Sequence, residues 1–231
     1  MFEIYIMNLG KYNEGNLVGQ WLTLPASDEE INNAMDAIGI NELYEEYIVS
    51  DFVNNFEFEI MEHASIKELN EVAEYLQEFN EYERKLINAL LEGDYICYKN
   101  LVDRNVDLYN YSYLELDNNT LLSDEASLAY AFIEEYYMEN VQNMEYYFDF
   151  EKFANDLYYD FDIIIEGMDE EDKQELEELS RLEFADWYIE GFGGVEELSF
   201  QTLENYFDYK KFGRDLILNG AFISSNGIAI I

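Results

Sequence analysis

EIYIMNLGKYNEGNLVGQWLTL, from Glu3 to Leu24, alternates apolar and polar residues as far as Leu9, breaks into the turn-forming KYNEGN, and resumes an apolar run at Leu17. Period-two alternation on both sides of a turn cluster predicts a hairpin-like pair of strands with one buried face. Working outward, Ser27-Asp28-Glu29-Glu30 is a capping-box pattern and predicts a short helix to about Ile38. EEYIVSDF (45–52) and FEFEIM (56–61) read as two further strands, which closes a small α+β unit near residue 62. Ser65 with Glu68 forms a second capping pattern, and Leu69, Val72, Leu76 and Phe79 recur at helical spacing. Residues 81–91 continue as helix and Gly93 is the natural stop.

The rest of the chain repeats itself. YFDFEKFANDL starts at Tyr147 and YFDYKKFGRDL at Tyr206, an offset of 59 residues. Upstream, FIEEYY (132–137) faces YIEGF (188–192) at a slightly different offset; downstream, FDIII from Phe161 and GAFIS from Gly220 read as short apolar strands. The economical reading is two units of about sixty residues, each a helix, an aromatic turn and a strand. The chain then divides into an N-terminal α+β domain (1–62), a helical domain (63–105), and two copies of an α/β unit (106–167 and 168–231).

Charge excludes several roles. The 231 residues carry 52 Asp and Glu against 12 Lys and Arg, a formal net charge of −40, and no Lys or Arg occurs between Tyr12 and Ile66 or between Asn105 and Glu151. Such a polyanion is repelled by nucleic acid and by anionic membrane surfaces, so neither is an expected partner. Disorder is not implied, because a chain that is 49% hydrophobic and 17% aromatic can build cores. The single cysteine, Cys97, cannot form an internal disulfide, and the opening MFEIYIMNLG lacks a signal-peptide pattern; a cytoplasmic location is the expectation.

Catalytic constellations are scarce. One histidine (His63) and one cysteine rule out a zinc site made of several such ligands, and no GxGxxG, GxxxxGK[ST] or GxSxG pattern occurs. Gly191-Phe192-Gly193-Gly194 reads as a turn. Asp117-Asn118-Asn119 lacks the glycine and the distant glutamate of a calcium loop. No cofactor, no metal and no enzymatic activity are expected.

What remains is the placement of the acids. Glu71, Glu74 and Glu78 form an i, i+3, i+7 stripe; Glu134 and Glu135 sit beside Glu139 on the helix expected from Asp124; Glu171, Glu175 and Glu178 repeat the pattern after Asp169. Like charges at these spacings cost a few tenths of a kcal/mol each. A protein that tolerates this on several elements either lives in high salt or uses the field. Duplex DNA carries one charge per ~1.7 Å of axis, so forty charges correspond to about 68 Å of duplex. The charge density is of the order required to imitate DNA.

Specific residues then suggest a family. Asn8-Leu9-Gly10-Lys11-Tyr12-Asn13-Glu14-Gly15, followed by Leu17-Val18-Gly19 and Trp21, resembles the opening of the ArdA antirestriction proteins. Tyr44-Glu45-Glu46-Tyr47 with Asp51 resembles the close of their first domain. Tyr209, Phe212-Gly213-Arg214-Asp215-Leu216 and Phe222-Ile223-Ser224 resemble their C-terminal segment.

The resemblance implies an elongated, modular α+β protein of a phage or mobile element, with an acidic surface that mimics bent B-form DNA. It further implies a homodimer joined through the C-terminal region. Its expected partner is the host type I restriction–modification enzyme, or a similar DNA-binding defence complex, whose DNA groove it would occupy. One departure is plain: the usual family chain is shorter, and here the terminal unit occurs twice, with FIEEYYMENV (132–141) and Asp186 to Phe192 as its two acidic helices.

The expected contact set is collective: Glu45, Glu46, Asp51, Glu71, Glu74, Glu78, Asp124, Glu125, Glu134, Glu135, Glu139, Glu145, Glu171, Glu175 and Glu178. Gly10, Gly15, Gly19 and Trp21 are read as fold residues instead. The competing reading is an acidic scaffold module that binds a basic protein without imitating DNA.

Overall fold

The computed structural model describes residues 2–116, 124–137 and 141–231. The chain is mixed α and β and forms two compact units, Met1–Tyr113 with Phe222–Ile230, and Leu114–Ala221. Asp117-Asn118-Asn119 and Glu139 lie outside the described residues.

In the first unit, β1 (Phe2–Asn8) lies between β2 (Gly19–Leu24) and β3 (Tyr47–Val53), both antiparallel to it. The hairpin expected from Glu3–Leu24 is present, in the register Phe2↔Leu24 to Met7↔Gly19. Phe2, Ile4 and Ile6 point inward and are buried, as alternation requires. The connection is not an open turn: Leu9–Asn13 winds into a short helix, α1. Asn8, fully buried, starts it by accepting from Lys11 N–H at 2.9 Å. Its amide donates to the carbonyls of Ile38 (3.2 Å) and Gly39 (3.1 Å), which ties the hairpin to the end of α2 (Asp28–Ile38). Helix α2 opens on the complete Ser27–Glu30 capping box and closes on Gly39 in the left-handed region.

Gly10 lies against the Tyr44 ring, and a Cβ at Gly19 would sit 2.7 Å from the Ile6 carbonyl oxygen. These motif glycines therefore allow close backbone approach. Trp21 leans on Tyr5 with ring centres 5.3 Å apart and stays half exposed.

Three helices follow: α3 (Ile66–Gln77), α4 (Glu81–Glu92) and α5 (Tyr98–Val102). Ser65 caps α3 by accepting from Glu68 N–H, and Gly93 ends α4. Leu69, Val72 and Leu76 of α3 and Ile87 and Leu90 of α4 close over Ile4, Ile6 and Leu24 in one core. Each such side chain, fully buried, is worth roughly 1.5–3 kcal/mol relative to exposure. Phe222–Ile223 and Ile228–Ile230 of the same unit form a short antiparallel pair, with Phe222 opposite Ile230. Ile228 and Ile230 join the same core.

FEFEIM is not a strand. Phe56, Phe58 and Ile60 do face the core while Glu57 and Glu59 face out, so the alternation is real. The backbone is nevertheless satisfied locally: Phe56 N–H donates to Asn54 Oδ1, Asn54 Nδ2 to the Phe58 carbonyl, and Glu57 N–H to Asn88 Oδ1. Side-chain amides occupy the groups a ladder would need.

The second unit is helical: α6 (Asp124–Tyr136), α7 (Met144–Tyr147), α8 (Phe150–Tyr159), α9 (Phe161–Ile164), α10 (Glu170–Glu177), α11 (Arg181–Phe192), α12 (Phe200–Tyr206) and α13 (Tyr209–Leu218). FDIII, expected as a strand, is the one-turn helix α9. The N–H groups of Ile163 and Ile164 bond back to Asp160, and Phe161 and Ile165 share one face, buried with Leu176 and Phe184. The apolar run answers to helical spacing. Helix α13 packs on α6 and α8 packs on α11. The core joins Ala129 and Ile133, Phe153 and Ala154, Ala185 and Ile189, and Phe207 and Phe212.

Candidate functional site

On the first unit, Glu45 and Glu46 precede β3, Asp51 lies on β3, and Glu71, Glu74 and Glu78 run along the outer face of α3; all six are exposed. Helical spacing brings the last three together because the opposite face of α3 carries Leu69, Val72 and Leu76 into the core. Their charge is partly answered. Lys67 approaches Glu71 at 3.9 Å, and Arg104 reaches Glu78 at 3.2 Å and Glu74 at 3.9 Å. Arg104 also lies over the Tyr75 ring at 5.6 Å. Sequence spacing on α3 carries no trace of this cation, which comes from beyond α5.

On the second unit, Asp124, Glu134, Glu135, Glu145, Glu171, Glu175 and Glu178 are exposed and Glu125 is half exposed. Asp124 and Glu125 occupy the first turn of α6 and Glu171 that of α10, where the helix dipole favours a carboxylate by a few tenths of a kcal/mol. Glu134 and Glu135 stand near the C-terminal end of α6, whose last turn holds no basic residue. There the dipole opposes them.

One acidic row was missed. Glu183, Asp186 and Glu190 are spaced i, i+3, i+7 on α11, as in the stripe on α3, and the same spacing rule would have found them. With Asp172 and Glu175 they wall a groove of about 590 Å³ floored by Met168, Leu176, Leu179 and Trp187. Glu183 also closes a capping box with Ser180, and those hydrogen bonds hold its carboxyl below the usual range.

Several tyrosines titrate high. Burial, then the hydrogen bond to Asp215 at 2.9 Å, pushes the Tyr147 hydroxyl up to about 12. Burial and the bond to Asp156 raise Tyr206, and burial, Tyr130 and Glu204 raise Tyr209. In the first unit, burial and Glu68 raise Tyr98. An unfolded tyrosine ionises near 10, so above that pH the unfolded chain binds fewer protons than the folded one and stability falls. From neutral pH to about 10 these tyrosines leave stability unchanged, and we expect it to fall as pH rises above about 10. Urea melts at constant ionic strength check this, and Tyr147→Phe should flatten the drop.

His63 and Cys97 are exposed. Among the described residues no group of three or more His, Cys, Asp or Glu side chains is placed to hold a metal ion, and no helix is long and apolar enough to cross a membrane. Residues 4–170 match the family model described as antirestriction protein (ArdA). No curated protein matches the chain.

Proposed function

The chain belongs to the ArdA family of antirestriction proteins, and from that premise we propose that it inhibits by occupying the DNA groove of a type I restriction–modification enzyme. It acts by binding, and its carboxylates stand where DNA phosphates would. The observation that carries this reading is the exposure of acids on α3, α6, α10 and α11 at repeated helical spacings, within a chain of net charge −40. A basic groove built for phosphates attracts such a surface over long range, which speeds encounter and makes the affinity dependent on salt. No single carboxylate is indispensable on this reading, because all act through one field.

The test is competition. A labelled duplex is bound to the methyltransferase core of a type I enzyme and titrated with the protein at several salt concentrations. We expect displacement at low salt, with the protein's own affinity weakening steeply as salt rises. Absence of displacement at low salt overturns DNA-site occupancy for this class of enzyme.

A further inference from the structure

The two similar segments beginning at Tyr147 and Tyr206 touch each other, and their contacts are reciprocal. Phe148 and Phe207 form an antiparallel bridge. Asp149 N–H donates to the Tyr206 carbonyl at 2.7 Å, and Asp208 N–H donates to the Tyr147 carbonyl at 2.7 Å. Lys152 Nζ donates to the Asn205 carbonyl at 2.8 Å, and Lys211 Nζ to the Tyr146 carbonyl at 2.7 Å. The Tyr206 hydroxyl donates to Asp156 at 3.0 Å, and the Tyr147 hydroxyl to Asp215 at 2.9 Å. Phe153 meets the Tyr206 ring at 5.1 Å, and Phe212 meets the Tyr147 ring at 5.0 Å. Each contact recurs with the two segments exchanged, at the 59-residue offset that separates Tyr147 from Tyr206.

Sequence similarity alone does not produce this. Head-to-tail repeats bring patch i of one copy onto patch j of the next, with no return contact; reciprocity is the mark of a two-fold axis. The helices obey the same rule. Helix α8, in the first segment, packs on α11, which leads into the second; α13, in the second, packs on α6, which leads into the first. Neither half therefore buries its apolar face on its own elements alone. Asp149 and Asp208 cap α8 and α13 with nearly identical backbone angles (φ −82, ψ 80 and φ −84, ψ 80), so the local geometry repeats as well.

We infer that the second unit is a two-fold pair built inside one chain, in which each half is the binding partner of the other. The surface that a single copy would present to a second molecule is consumed internally. Residues 160–180, which carry α9 and α10, join the halves covalently, so the second binding event is intramolecular. The pairing is therefore independent of protein concentration. A homodimer formed through the C-terminal region has to use some other surface.

Two measurements on the full chain test this. Hydrogen exchange at the Asp149 and Asp208 amides, followed over a roughly hundredfold dilution, should show equal protection at every concentration, whatever mass is found by sedimentation. Protection lost at both amides on dilution would mean that the pairing is made between chains, and overturns the inference. Tyr147→Phe and Tyr206→Phe keep the rings, leave the net charge unchanged and remove equivalent hydrogen bonds, those to Asp215 and Asp156. Their melting temperatures should fall by similar amounts. A clear drop in one variant and none in the other overturns the two-fold relation.

Discussion

Neutralising six acids of the second unit together should weaken inhibition at least severalfold and up to many-thousandfold, while neutralising any one of them should scarcely register. An exposed ion pair contributes about 0.2–1 kcal/mol, so a single Glu→Gln change alters affinity by less than about fivefold. Glu134, Glu135, Glu145, Glu171, Glu175 and Glu178 are exposed, and among the described residues no cation stands within 4.0 Å of them. Changing all six to Gln removes roughly 1–6 kcal/mol, a loss between about fivefold and about twenty-thousandfold. The block Glu71, Glu74 and Glu78 should cost less per residue, because Lys67 and Arg104 already offset its charge. The α3 block gives up the exposed pairs with Lys67 and Arg104, and the block of six gives up the dipole contact at Glu171, each a contribution of about 0.2–1 kcal/mol. Gln in turn relieves like-charge repulsion, so a circular-dichroism melt of each block variant accompanies the titration. The competition titration reads both blocks. A single substitution that abolished displacement, or an α3 block as damaging as the block of six, would contradict a shared field.

What could be read from sequence was what local chemistry decides. The strand pair of Glu3–Leu24, the capping box at Ser27 and the stop at Gly93 each depend on residues a few positions apart, and each stands where expected. FEFEIM failed because its alternation reports burial, whereas a strand also needs a free backbone partner; Asn54 and Asn88 had taken those groups. FDIII failed because an apolar run that short suits either period, and Phe161 and Ile165 resolve it as a helical face. The same division holds for the acids. Their exposure follows from helical spacing, but Arg104 lies 26 residues from Glu78 in the chain and only the fold brings them together. The repeat was visible as similarity. Its reciprocity was not, because similarity says nothing about which copy touches which.

Two glycine-to-alanine changes inside helices of the second unit should move stability in opposite directions. Alanine is the better helix former by about 1 kcal/mol, and on propensity alone both changes would stabilise. Gly191, in α11, is exposed, and a Cβ there meets nothing within 4 Å. Gly191→Ala should accordingly raise stability by up to about 1 kcal/mol. Gly213, in α13, is buried where that helix crosses α6, and its Cβ would run into the backbone carbonyl of Glu125. A backbone group in a packed helix cannot swing aside as a side-chain tip can, so α13 must shift or tilt. Overpacking of this kind typically costs 1–3 kcal/mol, which outweighs the propensity gain. The displacement also pulls on Phe212, which packs on Phe132 at 5.5 Å, and on Tyr209, stacked on Tyr130 at 3.7 Å. Gly213→Val should be worse than Gly213→Ala, because it adds two methyl groups to the same overlap. Chemical denaturation of the three variants decides the matter. If Gly213→Ala stabilised the chain as Gly191→Ala is expected to, the close crossing of α6 and α13 would be wrong, and with it the reason for glycine in the Phe212-Gly213-Arg214-Asp215-Leu216 segment.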